Sequence, residues 1–372
     1  MHDHETGDAA TPSEHWRQQP RRLVLVAGSG RSGTSTMSGI LRQLGLYVPQ
    51  PEVAADNSNP RGFGEPQVVV DLHNALLSRA GVHASDARPT AWGLAEEAVT
   101  ESVQSALDRW VDAQFVEAEA AFTTEIVIKD PRLAWFLPMW QQAAERADAA
   151  ACVVTMLRPP SEVVGSKSRY YGGRMADSNR TAAWVNMMLQ TEHATRSSRR
   201  AFVSYHALLE DWTTALYRAG ETLGLSGIEN AATDDIRRVH QFVDPSLRRV
   251  KIGWSDIEVP DTLRALADDT WEQLSTLVEP TSDEELVHKR LDELREAYAR
   301  LYHDAELVAM SSVIAARRTR PDPAATPAKR ALARSRAERF AHLIPHGFRA
   351  KIPAGVRHRA RAGIARLRGG GR

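Results

Sequence analysis

The sequence predicts an α/β fold with a central parallel sheet flanked by helices. Two observations predict it. Short apolar runs recur at Leu23–Ala27, in "EIVIKDPR" (Glu125–Arg132) and in "ACVVTMLRPP" (Ala151–Pro160). Unbroken apolarity marks strands covered on both faces. Segments of helical spacing separate these runs, and strands alternating with helices form one sheet with helices on both sides.

The elements follow in order. Met1–Pro20 is polar and reads as a disordered arm. Leu23–Ala27 is the first strand. Thr34–Leu44 carries Met37, Ile40, Leu41 and Leu44 at helical spacing. Pro49–Pro66, "PQPEVAADNSNPRGFGEP", is rich in breakers and reads as a long loop, a length that usually signals function or disorder. Helices are expected at Val68–Ala80, Ala95–Ala118, Leu133–Ala147, Ser161–Tyr171 and Thr181–Arg199. "AFVSYHALLEDW" (Ala201–Trp212) reads as a strand running into a helix. After Leu225 the pattern is helical, ending in a long amphipathic helix at Glu284–Met310. Residues 21–310 are expected to form one α/β body with a helical C-terminal region, and residues 311–372 a basic tail.

Composition narrows the function classes. Apolar content is ordinary for a globular chain of 372 residues. Formal net charge is zero, but from Arg317 onward the acids are Asp322 and Glu338 alone, so the body is acidic and the tail basic. The tail places Arg and Lys around scattered Leu, Ile and Phe. That suits an anionic membrane surface, or a solvated extension. With Phe340 and Phe348 as its aromatics, it does not suit nucleic acid. The single cysteine, Cys152, excludes an internal disulfide framework and a cysteine-rich metal site. No apolar stretch approaches the roughly 20 residues of a membrane span. The N-terminal arm lacks the apolar core of a signal peptide. A cytoplasmic protein is expected, peripheral at the inner membrane face if the tail binds there.

Chemistry concentrates in "GSGRSGTST", Gly28–Thr36. A strand, a glycine turn and a helix start form a phosphate-binding loop, in which backbone N–H groups and the helix N-terminus converge on an anion. The spacing from Gly28 to Gly33 fits G-x-x-x-x-G, but Thr34 occupies the position of the usual lysine. Arg31 supplies the fixed charge, and Ser32, Thr34, Ser35 and Thr36 supply hydroxyls. Arg158 stands past the third strand, where open parallel sheets bind ligands. Ser161 is a candidate helix cap with Glu162 in the first turn. Ser166 lies eight residues beyond Arg158, able to face the same site.

Together, "GSGRSGTST" and "LRPPSEVVGS" resemble the two cofactor motifs of sulfotransferases that use 3′-phosphoadenosine 5′-phosphosulfate (PAPS). "NPRGFGEP", "IKDPRLAWFLPMW" and "VSYHALLEDW" are similar to stretches of bacterial members. The likeness spans roughly Leu23–Leu225. It implies a P-loop-like three-layer sandwich. It also implies sulfuryl transfer from PAPS, with no metal, to a hydroxyl of a carbohydrate, glycolipid or secondary metabolite. Gly30, Arg31, Ser32, Gly33, Thr34, Ser35 and Thr36 would hold the 5′-phosphosulfate, and Arg158 and Ser166 the 3′-phosphate. Tyr205, just after the strand of "AFVS", is a candidate either to pack on the adenine or to be a plain buried aromatic. Glu65 is the expected general base, with His73 the alternative. Lys129 or Arg132 would stabilise the sulfuryl group or hold an acidic acceptor, oriented by Asp130. Asp130 also reads as a helix cap before Pro131. Trp92, Trp135, Tyr170 and Trp184 are candidates for the acceptor pocket or for the core. A P-loop kinase or nucleoside triphosphate hydrolase is the competing enzyme class. The missing lysine, and the lack of a magnesium-binding Asp outside the "KDPR" turn, count against it. A non-catalytic nucleotide-binding module is the third reading.

Overall fold

The computed structural model of the chain describes residues 14–56, 59, 61–172, 175–243, 252–279 and 283–319. Four strands form one sheet: β1 (Arg22–Ala27), β2 (Glu125–Lys129), β3 (Ala150–Leu157) and β4 (Arg199–Ser204). Their order is β2-β1-β3-β4, and each pairing is parallel. Parallel neighbours need crossovers, and helices provide them. Between β1 and β2 lie α1 (Thr34–Gln43), α2 (Gln67–Ala80), α3 (Ala91–Glu97) and α4 (Glu101–Ala120). Then α5 (Leu137–Arg146) joins β2 to β3, and α6 (Pro160–Tyr171) and α7 (Asp177–Ala194) join β3 to β4. After β4 come α8 (Tyr205–Glu210), α9 (Trp212–Leu223), α10 (Ser226–Glu229), α11 (Thr233–Phe242), α12 (Asp261–Thr276) and α13 (Glu284–Thr319).

This is the α/β architecture that the alternating pattern predicts. The chain steps from β1 to β2 on one side, then back across to β3 on the other. The crevice for a ligand therefore opens at the carboxyl ends of β1 and β3.

Period-two alternation divides the core. Leu23, Leu25 and Ala27 join Ile126, Ile128 and Val153 in a cluster with Phe115, Phe136 and Trp140. Val24 and Val26 turn to the opposite face, joining Val127, Val154, Met37 and Ile40. A third cluster ties Trp184 and Val163 to Leu263, Leu274, Leu291 and Tyr298. Cys152 is buried, as its apolar surroundings predict, and burial pushes its thiol up to about 11.

Several local expectations are corrected. The predicted Ala95–Ala118 helix is two helices, α3 and α4, and the Thr100 hydroxyl accepts from the Val103 N–H at the start of the second. A 3-10 turn at Leu133–Phe136 precedes α5. Helix α7 begins at Asp177 and stops at Ala194, so that Arg199 opens β4. Ser161 caps nothing, because Pro159 is the cap residue and α6 starts at Pro160. The N-terminal arm is structured from Glu14, whose 3-10 turn sets Trp16 edge-on against Phe122.

The chain divides into a first unit ending at Asp304 and a second starting at Ala305. The described residues of the second belong to α13, which runs past the predicted end at Met310 to Thr319. Residues 311–319 of the expected basic tail belong to α13, and the rest, 320–372, with the membrane contact expected of it, lies outside the described residues. No described helix is long and apolar enough to cross a membrane.

Gly39 of α1 is crossed by the Phe242 ring, 2.3 Å from where a Cβ would sit. Gly39→Ala is expected to lower stability by about 1–3 kcal/mol through overpacking, read as a fall in the urea midpoint.

Candidate functional site

The loop after β1 has two positions that only glycine fills well. Gly28 sits at φ 121, and a Cβ there would lie 2.7 Å from the Met156 carbonyl oxygen of β3. Gly33 caps α1 at φ 97, with the Tyr205 ring 2.2 Å from a Cβ. Gly30, in contrast, takes no positive φ and has only Pro131 nearby. The third left-handed residue is Arg31, at φ 77. A non-glycine there is strained by roughly 1–3 kcal/mol, so its surroundings must hold it.

They do so from three sides. Arg158, at the end of β3, donates from Nη1 to the Arg31 carbonyl oxygen at 3.1 Å. Arg31 Nε donates to Ser166 Oγ at 3.1 Å. The Arg31 guanidinium also lies 3.9 Å from the Tyr170 ring centroid. Arg158 and Ser166, eight residues apart, thus converge on one residue of the loop. Tyr205 packs its ring against Gly33 and 5.0 Å from the Arg158 guanidinium.

Arg158 Nε also donates to Glu162 Oε2 at 2.9 Å, and His206 Nε2 meets the same oxygen at 2.9 Å. Burial pushes the Glu162 carboxyl up, but His206 and Arg158 outweigh it and hold the group below its usual range. The sequence reading missed His206.

The start of α1 suits an anion. No side chain caps it, and its first turn holds no acid. Ser32 Oγ is buried without a partner among the described residues. Such an orphaned hydroxyl beside uncapped N–H groups fits a phosphate or sulfate oxygen.

At the end of β2 the alternation of side chains sorts two charges. Lys129 turns to the α1 side and donates to Ser35 Oγ at 3.1 Å and Glu65 Oε1 at 2.5 Å. Asp130 turns to the other side, where its Oδ2 lies 3.0 Å from His73 Nδ1. Burial drives the Lys129 ammonium below its ordinary value, against the pull of Glu65. Burial pushes Asp130 up, but His73 and Arg132 bring it down to about 2.

Glu65 reaches Lys129 because its loop is pinned nearby. Ser38 Oγ donates to the Gly64 carbonyl at 3.3 Å, and Val53 N–H to the Glu65 carbonyl at 2.8 Å. Arg132 Nη2 stands 3.7 Å from Glu65 Oε2, while its Nε donates to Asp130 and its Nη1 to Asn74. Asp130 is not a helix cap. Its Oδ1 accepts from the Arg132 N–H at 2.8 Å in a turn.

Four candidates lie elsewhere. His73 is fully buried, and both ring nitrogens are engaged: Trp140 Nε1–H donates to Nε2 at 2.9 Å, leaving Nδ1–H for Asp130. Trp184 lies in the third core cluster, not in a pocket. Trp92 and Trp135 stack at 4.1 Å within the first core cluster.

A cleft of about 530 Å³ gathers part of these groups, while Arg158, Ser166 and Tyr205 are not among its lining residues. Its lining includes Arg31, Ser35, Glu65, Lys129, Arg132 and Lys167. The sequence reading missed Lys167, which lies on α6 just after Ser166. A second hollow of about 380 Å³ beside β4, lined by Arg200, Phe202 and Arg218, holds none of these residues. Among the described residues, no group of three or more His, Cys, Asp or Glu gathers as a metal-ligand set.

No protein-family model matches the chain, and no curated protein matches it. Among solved structures it is similar to the sulfotransferase domain of an olefin synthase from Synechococcus PCC 7002. Identity there is 17%, over 69% of this chain and 95% of that one, with a TM-score of 0.41. It is also similar to a sulfotransferase domain from the curacin biosynthetic pathway, at 15% identity, covering 68% and 98%, with a TM-score of 0.38. A sulfotransferase from Mycobacterium tuberculosis H37Rv matches at 13% identity, covering 69% and 78%, with a TM-score of 0.37. Similarity at this level leaves the chemistry to the residues of the cleft.

Proposed function

We propose that the cleft binds PAPS and transfers its sulfuryl group to a hydroxyl of a small molecule, carbohydrate or glycolipid. The observation that carries this reading is the meeting of both anion motifs at Arg31, next to the Lys129–Glu65 pair. A nucleotide with two separate anionic ends needs two such motifs in one crevice.

The residues fit the ligand by charge and by hydrogen-bonding capacity. The loop from Gly30 to Thr36 and the start of α1 would take the 5′-phosphosulfate, with the orphaned Ser32 hydroxyl among the donors. Arg158 and Ser166 would take the 3′-phosphate. A guanidinium suits this, since it offers paired donors to a tetrahedral anion. Tyr205 would pack on the adenine. When bound, PAPS supplies the sulfuryl group and a phosphate leaving group.

Glu65 takes the proton of the acceptor hydroxyl. Its carboxylate lines the cleft, whereas His73 has no free ring nitrogen. Lys129 stands between Ser35 and Glu65, so one ammonium touches both the start of α1 and the base. It offsets negative charge on the departing phosphate side as the proton reaches Glu65. His73 positions Asp130, and Asp130 holds Arg132 at the mouth of the acceptor side.

Calorimetric titration tests the ligand. Adenosine 3′,5′-bisphosphate is expected to bind without metal at about micromolar affinity or better, roughly −8 kcal/mol. A preference for ATP with magnesium would sink the reading. Arg158→Ala should weaken the bisphosphate more than adenosine 5′-phosphosulfate, which loses only the share that depends on the Arg158 hold on the Arg31 carbonyl. An equal loss for both refutes the 3′-phosphate assignment. Glu65→Gln should lower turnover by about 10²–10⁴-fold at unchanged bisphosphate affinity. Wild-type turnover in that variant would move the base elsewhere.

A further inference from the structure

Two buried lysines line the cleft, and they are compensated differently. Lys129 has Glu65. Lys167 is 6% exposed, and its Nζ donates to Ser29 Oγ of the loop at 3.0 Å. Among the described residues no carboxylate pairs with it. Its charged surroundings are Arg31 on the loop, Arg180 from α7, and Lys129, Glu65 and Arg132 across the cleft. Arg180 is itself tied to Asp177, Ser168 and the Gly172 carbonyl. Glu65 is taken by Lys129, and Asp130 by His73 and Arg132.

Burying an ammonium without a counter-charge is costly. A polar pocket wall that carries one is built for an anion that arrives from outside. Successive residues of α6 serve the same loop: Ser166 meets the side chain of Arg31, and Lys167 meets Ser29. The loop has no lysine of its own at Thr34.

We propose that Lys167 is the missing lysine of the phosphate-binding loop, supplied from α6, and that its ammonium binds an anionic oxygen of the ligand held there. The inference rests on the functional reading above for the identity of that ligand, but needs only an anion in the loop. Burial, then Arg180, pushes Lys167 down to about 8 in the ligand-free state. An arriving anion reverses that shift, so binding near pH 8 draws a proton onto Lys167.

The buried Lys167 ammonium also bears on stability. The folded value lies below the unfolded one, so the charge penalty is complete at pH below about 8. It is relieved as pH rises toward the ordinary lysine range.

The test compares wild type with Lys167→Met and Lys167→Arg. Each is titrated with adenosine 3′,5′-bisphosphate and, separately, with inorganic pyrophosphate, in two buffers of different ionisation heat at pH 8. Lys167→Met is expected to lose at least about tenfold in affinity for the anion that wild type binds, together with the proton uptake. Lys167→Arg should keep most of the affinity and lose the uptake. Without ligand, Lys167→Met should melt at or above the wild-type temperature, with the gap narrowing above pH 8. Affinity and stability then move in opposite directions, which a structural role cannot produce. Unchanged affinity or uptake in Lys167→Met overturns the inference, as does a parallel loss of affinity and stability. Wild type binding neither anion overturns it too. Binding of pyrophosphate but not of the bisphosphate would refute PAPS while leaving Lys167 in its role.

Discussion

The left-handed turn at Arg31 is the constraint on which the cleft depends. Its backbone conformation is unfavourable for any residue with a Cβ, so it persists only while its neighbours hold it. Arg158 grips its carbonyl, Ser166 its side chain, and Tyr170 lies against the guanidinium. These contacts come from β3 and α6, while the loop itself comes from β1. The two anion motifs are therefore one mechanical unit. The carbonyl that Arg158 holds belongs to the same residue whose guanidinium carries the loop's charge. A ligand engaging either motif feels the placement of the other.

Charge in the cleft is arranged by the sheet. The parallel register pairs Val26 with Lys129 and Leu157 with Ser204, so the strands end near one another at the ligand side. Lys129 leaves β2 toward α1, and Asp130 leaves it toward α2. Each then finds the partner that its side of the sheet provides. A fixed His73 tautomer, set by the Trp140 indole, completes the second of these chains and links the cleft to the first core cluster.

Much of this was legible in the sequence, for physical reasons that differ by residue. Gly28 and Gly33 could be read because a tight turn beside a buried strand leaves room for little else. The four strands could be read because double-sided burial demands unbroken apolar runs. Glu65 and Lys129 were legible as candidates, but no spacing rule brings residues 64 positions apart to 2.5 Å. Trp184 stayed open between pocket and core because an aromatic at helical spacing reads the same in both, and its packing decides for the core. Lys167 escaped notice because a lysine in a helix ordinarily points to solvent. Its burial comes from the packing of α6 against the loop and α7, which no local pattern records. The break between α3 and α4 escaped too, since Ala98 to Thr100 holds neither glycine nor proline.

The alternation at the end of β2 also bears on which length changes the chain can absorb. Lys129 and Asp130 are neighbours in sequence with opposite charges and opposite destinations. Removing one residue from β2 while its pairing with β1 begins at the same place would send the acid toward Ser35 and Glu65. Two carboxylates would then face the start of α1, an arrangement hostile to any anion. The Pro49–Pro66 stretch is anchored near Glu52 and Gly64, so its middle is free of that rule. A change of length in that stretch leaves the register of β2, and with it the destinations of Lys129 and Asp130, untouched.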